Sequence, residues 1–160
     1  MKVLNGYFRV MDVIYKVVEA LALMLLAATM TLLFVQTILR YCFHFSLVWA
    51  EELCRYMCIW MAFLGSGIGI RDDIHVGFDL LKNRLPHHTK DILVIILNAL
   101  VFGGSFILIR DGAKLMKQVH TQISASLGFS MSYVYASLVV GAVLIALFSI
   151  EYIVKKVVKK

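Results

Sequence analysis

The sequence predicts an all-α integral membrane protein with four transmembrane helices, an N-terminal amphipathic interfacial helix and both termini in the cytoplasm. The first observation is composition: of 160 residues, 61% are hydrophobic and 16% are charged, with a mean hydropathy of +0.86. A soluble domain is usually about 45–50% apolar and about 25% charged. The second observation is that apolar residues fall into four runs, each close to the ~20 residues that cross a bilayer. The third is the uneven distribution of lysine and arginine between the connections.

The N-terminal segment, residues 1–16, is predicted to be an amphipathic helix in the cytoplasmic interface. Its apolar residues recur at helical spacing, whereas Lys2, Arg9 and Lys16 fall on the other face. The basic side chains are expected to contact membrane lipid, and the apolar face is expected to contact lipid or a partner subunit.

The whole chain, 1–160, is predicted to form a single membrane domain. The four spans lie at about residues 17–39, 47–70, 91–110 and 132–154. The first run is too long for a cleavable signal and continues into Gln36, so it is interpreted as retained. The third helix is expected to extend as far as Gln122, and Ser124–Ser132 is predicted to be a loop around Gly128.

The basic residues predict the orientation. With four spans, both termini and the middle connection share one side, which holds 11 of the 16 lysines and arginines. This bias predicts that both termini are cytoplasmic. Lys155 and Lys156, after the fourth span, are expected to hold anionic lipid. No basic and aromatic patch lies on a soluble face, so nucleic-acid binding is excluded.

The outer entry of the second helix is richer in polar groups than an anchor requires. Ser46 is predicted to cap this helix. Arg55 follows Glu51 by four residues and Glu52 by three, so one arginine can bridge both carboxylates. Ionisable groups near hydrocarbon are costly and therefore indicate function. We interpret this face as a contact with another protein; the alternative is that the charges only satisfy one another.

Two tryptophans and two glycines follow on the same helix. Trp49 suits an interfacial belt, whereas Trp60 is deeper and is expected to pack against another helix. Gly65 and Gly69 form a G-x-x-x-G pattern, which allows close approach of a second helix.

The inner end of the second helix carries a cluster of Arg71, Asp72, Asp73, His75 and Asp79. Carboxylates and imidazole at this density suit a metal ion. However, no second cluster matches them, and the two adjacent carboxylates can pair with the arginine instead. We therefore predict no metal site.

No cofactor is expected to be bound by this chain. The five histidines lie in connections or helix extensions, whereas haem ligands in a membrane cytochrome lie inside apolar runs. The three cysteines, Cys42, Cys54 and Cys58, are expected to be small buried hydrophobic residues rather than a disulfide framework or a metal pair.

An ordered set of residues between positions 40 and 79 resembles a known family. The set is Arg40-Tyr41, Phe45-Ser46, Trp49-x-Glu51-Glu52-Leu53, Arg55, Trp60, Phe63-Leu64-Gly65, Arg71, His75-Val76 and Asp79. It is similar to the small membrane subunit of tripartite ATP-independent periplasmic (TRAP) transporters, the DctQ-like proteins.

The resemblance implies a non-enzymatic scaffold subunit in the bacterial inner membrane. Its implied partners are a large M-type membrane subunit and a periplasmic substrate-binding protein. The implied function is import of an organic acid, a carboxylate or a sulfonate, with sodium ions bound by the large subunit. The residues leave two alternatives open: a self-contained homo-oligomeric transporter or channel that uses Glu51 and Glu52, and a membrane cytochrome.

Overall fold

Four long helices make up the described part of the protein. The computed structural model describes residues 2–72 and 87–158, and within them the side chains of 6–72 and 96–154. The helices are α1 (Lys2–Cys42), α2 (Val48–Arg71), α3 (His87–Gln118) and α4 (Ser132–Val158). Each is long and apolar enough to cross a membrane, so the prediction of four spanning helices is confirmed.

α1 is one uninterrupted helix, whereas the sequence predicted an interfacial helix and a separate span. Its 41 residues extend about 61 Å at the usual rise of about 1.5 Å per residue. Beyond Gly6 it contains neither glycine nor proline, so nothing in the sequence interrupts its backbone hydrogen bonds. Thr29, Thr31 and Thr37 each donate a hydrogen bond of 2.7–2.8 Å to the carbonyl four residues earlier. These internal bonds satisfy the hydroxyl groups of an otherwise apolar helix.

The apolar face of the first turns of α1 packs on the protein itself. Met11 and Val18 are buried, and Ile14 and Tyr15 pack against the hydrophobic core. Part of this face therefore contacts the protein's own core, and its contact with lipid or a partner stays a prediction.

The polar face of this segment is solvent-accessible where it is described. Arg9 and Lys16 are exposed, as expected for residues that contact lipid headgroups. The side chains of Lys2, Lys155 and Lys156 lie outside the described part, so their predicted lipid contacts stay predictions.

The helices lie side by side in the order α1, α2, α4, α3. α2 packs against α1 and α4, α4 also packs against α3, and α1 meets α4 at few positions. The two middle helices are more buried than the two outer ones. Within an apolar stretch of 18 residues, 28% of residues are buried in α2 and 39% in α4, but only 11% in α1 and 17% in α3. The arrangement is thus an open row rather than a closed bundle, and its two outer helices expose broad apolar surfaces.

The core lies where α1, α2 and α4 meet. Its buried members are Val18, Leu64, Ile70, Leu144 and Phe148. Two glycines bring α4 close to its neighbours. A Cβ atom on Gly141 of α4 would lie 2.7 Å from Phe63 Cβ of α2, and one on Gly112 of α3 would lie 2.4 Å from Leu138 Cδ2 of α4. A larger side chain at Gly141 requires α2 and α4 to separate, because it meets Phe63 Cβ and backbone, whereas at Gly112 the Leu138 side chain has to move.

The connection between α3 and α4 is compact. An isolated antiparallel bridge joins Ile123 to Ser130, and Ser124 N donates to Phe129 O at 2.9 Å. Gly128 has a φ of +71°, a conformation that glycine adopts without steric cost. The loop prediction is confirmed, but α3 ends at Gln118 instead of Gln122.

Candidate partner interface

The outer entry of α2 begins later than predicted. Leu47 holds the capping position and makes no side-chain capping hydrogen bond, so the prediction that Ser46 caps the helix is wrong. The chain reverses at His44, which has a φ of +53°. The backbone N–H groups of Phe43 and Phe45 both donate to Leu39 O, at 3.1 and 3.2 Å. This extra turn at the end of α1 leaves Ser46 one residue before the cap.

Glu52 is held by its own chain. Tyr56 Oη and Ser124 Oγ both donate to Glu52 Oε1, the latter at 2.8 Å, and Ser126 N donates to Oε2 at 2.9 Å. Hydrogen bonds to an ionised carboxylate are the stronger ones. Glu52 therefore fastens the α3–α4 connection to α2.

The predicted bridge by Arg55 is wrong. Within residues 2–72 and 87–158, no ion pair joins Arg55 to Glu51 or Glu52. The physical reason is that three hydrogen-bond donors, one of them a backbone amide of a distant loop, already occupy the Glu52 oxygens. Sequence spacing along one helix gives no sign of that loop.

The remaining polar residues of the outer entry face outward. Arg40, Ser46, Glu51 and Arg55 are exposed, and Trp49 is 42% exposed. They form the outer edge, a name used below for these five residues, and they remain accessible to another protein. Trp60 is half-buried and packs against the core, which confirms its predicted packing against another helix.

The glycine of α2 that lies closest to another helix is Gly67, not Gly65 or Gly69 as predicted. A Cβ atom on Gly65 or Gly69 would meet nothing within 4 Å, whereas one on Gly67 would lie 3.1 Å from Leu144 Cβ. α4 thus packs on the Gly67 face, and Gly65 and Gly69 are not used for close approach within the described chain. They lie instead along an open groove of about 700 Å³, which is lined by Ala62, Gly65, Ser66, Ile68, Gly69, Ile70, Val101 and Ile145.

Arg71 is the centre of a polar cluster at the other end of α2, which we call the inner clasp. Its guanidinium pairs with Asp12 of α1 and with Glu151 of α4, where Nη2 lies 3.1 Å from Oε1. Nη1 also donates to Met11 O at 3.3 Å. The guanidinium carbon lies 4.4 Å from the centre of the Tyr15 ring. The Glu151 side chain is only 1% exposed, so this carboxylate is buried with its positive partner.

The predicted pairing of Arg71 with Asp72 is wrong, because no ion pair joins these two described residues. Asp72 instead accepts a hydrogen bond of 2.8 Å from Tyr15 Oη. Asp73, His75 and Asp79 lie outside the described residues. The pairing of Glu151 with Arg71 was not predicted. A lone carboxylate in the last apolar run was nevertheless a usable signal, because such a group needs a partner.

The described residues form no cluster that could bind a metal ion. Among them, no group of three or more His, Cys, Asp or Glu side chains is placed to hold a metal ion. Cys54 is buried as expected, but Cys42 and Cys58 are exposed, and all three are free thiols. The polar clusters at the two ends of α2 join helices and connections to one another.

Four membrane-length helices in an open row, with a polar cluster at each end of α2, define a multi-pass membrane protein. A sequence model of the DctQ component of tripartite ATP-independent periplasmic transporters matches residues 29–159. The chain belongs to this family, whose members lie in the inner membrane and are transporter subunits rather than enzymes.

Three relatives illustrate the match. A putative TRAP transporter small permease protein of Haemophilus influenzae is 29% identical over 134 residues, covering 83% of this chain and 83% of the relative. The C4-dicarboxylate TRAP transporter small permease protein DctQ of Rhodobacter capsulatus is 36% identical over 101 residues, covering 61% of this chain and 44% of the relative. The sialic acid TRAP transporter permease protein SiaT of Haemophilus influenzae is 31% identical over 134 residues. That match covers 84% of this chain but only 22% of SiaT, so the chain spans about a fifth of that relative.

Proposed function

We propose that this chain is the stationary scaffold subunit of a TRAP transporter that imports an organic acid. Its partners are a large M-type membrane subunit and a periplasmic substrate-binding protein. The observation that carries the proposal is the open row of helices, because its exposed apolar surfaces suit contact with a larger membrane protein. A carrier that moves within the membrane needs a fixed surface to move against, and a row of helices widens that surface.

The described spans favour a scaffold over a complete transport path. Buried hydroxyl groups of Thr29, Ser105 and Ser137 donate to carbonyls of their own helices, at 2.6–2.7 Å. A path for a charged substrate requires polar groups from several helices that face one another. The channel alternative also required Glu51 and Glu52 as an ion site, but both Glu52 oxygens accept bonds from their own chain.

The proposed substrate is a carboxylate or a sulfonate. Relatives of this chain are named for C4-dicarboxylate and for sialic acid, which are both carboxylates. We propose sodium-coupled import, with the sodium ions and the substrate held by the large subunit and the binding protein.

The proposed orientation has both termini in the cytoplasm. The support is the excess of lysine and arginine on the side that holds the termini. The outer edge then faces the periplasm, where it is available to the binding protein and to the outer loops of the large subunit. The inner clasp lies at the cytoplasmic side.

Two surfaces are proposed to contact partners. The outer edge offers an aromatic ring and exposed charges of both signs at Trp49, Glu51 and Arg55. The groove beside Gly65 and Gly69 offers small side chains, which let a partner helix approach closely. We propose that the groove receives a transmembrane helix of the large subunit.

The test is co-purification of the large subunit with a tagged form of this chain. A Gly65→Leu, Gly69→Leu double variant adds side chains to the groove at two positions where a Cβ atom meets nothing within 4 Å among the described residues. We expect a large loss of the recovered large subunit, with unchanged expression of this chain. Gly103→Leu is the matched control, because a Cβ atom there also meets nothing within 4 Å but Gly103 does not line the groove. Full recovery with the double variant contradicts the groove assignment.

The outer edge is tested with Glu51→Lys combined with Arg55→Glu. This charge reversal spares Glu52, whose replacement disturbs the loop that it holds. We expect weaker capture of the partners and slower uptake of the organic acid. Unchanged capture and uptake contradict the contact at the outer edge.

A further inference from the structure

We infer that Arg71 is a positioning residue that clamps the N-terminal turns of α1 to α2 and α4, which makes this segment a fixed part of the helix row. The inference goes beyond the scaffold function and does not depend on it. It concerns how the chain holds its own cytoplasmic side together. It also adds an internal attachment at residues 11–15 to the interfacial helix that was predicted for residues 1–16.

The clamp follows from where Arg71 lies. It is the last residue of α2, so its long side chain reaches past the helix end to both neighbouring helices. α1 and α4 meet each other at few positions. An ion pair from Arg71 to Asp12 on one side and to Glu151 on the other therefore joins two helices that have little direct contact.

Three different contacts hold α1 within little more than one turn. Arg71 pairs with the Asp12 carboxylate, donates to Met11 O and lies over the Tyr15 ring. Tyr15 then donates to Asp72, which directly follows α2. A guanidinium suits this combination because it is planar and has five donors. A lysine ammonium is a single point charge and does not reproduce the stacked, forked geometry.

Burial differs between the two sides of the clamp, because the Asp12 carboxylate on α1 is 59% exposed whereas the pair on α4 is buried. The side chain of Arg71 is 10% exposed and that of Glu151 is 1% exposed. Phe148, which is fully buried, lies 5.7 Å from the guanidinium. Removal of one member of a buried pair leaves the other charge uncompensated, which is strongly destabilising. The buried pair therefore anchors the Arg71 guanidinium, which then reaches Asp12, Met11 O and the Tyr15 ring on α1.

The experiment measures the mobility of a spin label on α1 in the full-length chain reconstituted in lipid bilayers. Cys42, Cys54 and Cys58 are first replaced by alanine, and a single cysteine is placed at exposed Val13. A second label at Met24, which is also exposed and lies further along α1, serves as the control position. In Arg71→Met, we expect the label at 13 to become severalfold more mobile on the nanosecond timescale, while the label at 24 does not change.

A second variant keeps the inference testable if Arg71→Met does not fold. Asp12→Asn with Tyr15→Leu removes the two side-chain contacts of Arg71 on α1 but leaves its bond to Met11 O and the buried pair with Glu151. It is expected to release the label at 13 in the same way, and Arg71→Lys is expected to give an intermediate mobility. Arg110→Met is the matched arginine control, since Arg110 is exposed on α3, and it is expected to leave the label at 13 unchanged. An unchanged label at 13 in both clamp variants overturns the inference.

Discussion

Glu51 and Glu52 are neighbours in sequence but have different surroundings. Glu51 is exposed on the outer edge, whereas Glu52 accepts hydrogen bonds from Tyr56, Ser124 and Ser126. The difference follows from helix geometry, because adjacent residues point about 100° apart and only one of them meets the α3–α4 connection. One carboxylate is therefore available to a partner, and the other has a structural role.

Replacement of each glutamate by glutamine tests whether Glu52, but not Glu51, has a structural role. Glu52→Gln is expected to lower the unfolding temperature by a few degrees, because an amide is a weaker acceptor and offers only one oxygen to three donors. Glu51→Gln should leave the unfolding temperature unchanged, since an exposed substitution away from such bonds has little effect. Thermal unfolding of the purified protein in detergent provides the measurement. Equal effects of the two substitutions contradict the assignment.

At the scale of the helices, glycine has two uses that a sequence pattern does not separate. Gly141 and Gly67 allow α4 to approach α2, because a Cβ atom at either position would crowd the neighbouring helix. Gly65 and Gly69 have open surroundings in the described chain. The G-x-x-x-G spacing singled out the second pair, yet the helix contact within this protein depends on the first.

Substitution of a closely packed glycine and of an open glycine should have different effects on stability. Gly141→Leu is expected to destabilise the fold by about 1–3 kcal/mol, the usual cost of overpacking a core. Gly65→Ala is expected to cause no loss of stability, because the added methyl group meets no atom within 4 Å. Chemical or thermal unfolding of each variant checks the pair. A stable Gly141→Leu protein contradicts the close packing of α2 and α4.

At the scale of the whole molecule, hydropathy predicted the number of helices because four apolar runs of membrane length are a strong signal. It did not predict that α1 continues unbroken from Lys2 to Cys42. The apolar spacing of the first 16 residues predicted an amphipathic helix with one apolar face, which stays a prediction, although the chain is helical from Lys2. Whether that face covers lipid or the chain's own core depends on tertiary contacts that periodicity does not contain.

The contacts of the two polar clusters were also not predictable from sequence spacing. Glu52 and Arg71 were both selected from the sequence, but their partners were assigned to nearby residues. The partners in the structure are 72 and 74 residues away for Glu52, and 59 and 80 residues away for Arg71. A single sequence identifies a costly charge, but it does not identify which distant element compensates it.

The most direct test of the scaffold function is reconstituted uptake. Proteoliposomes are prepared with the large subunit and binding protein, with this chain alone, or with all three proteins. Uptake of labelled C4-dicarboxylate or sialic acid is then followed under an inward sodium gradient. The proposed function predicts uptake only when all three are present, and none by this chain alone. Uptake by this chain alone, or an equal rate without it, contradicts the proposed function.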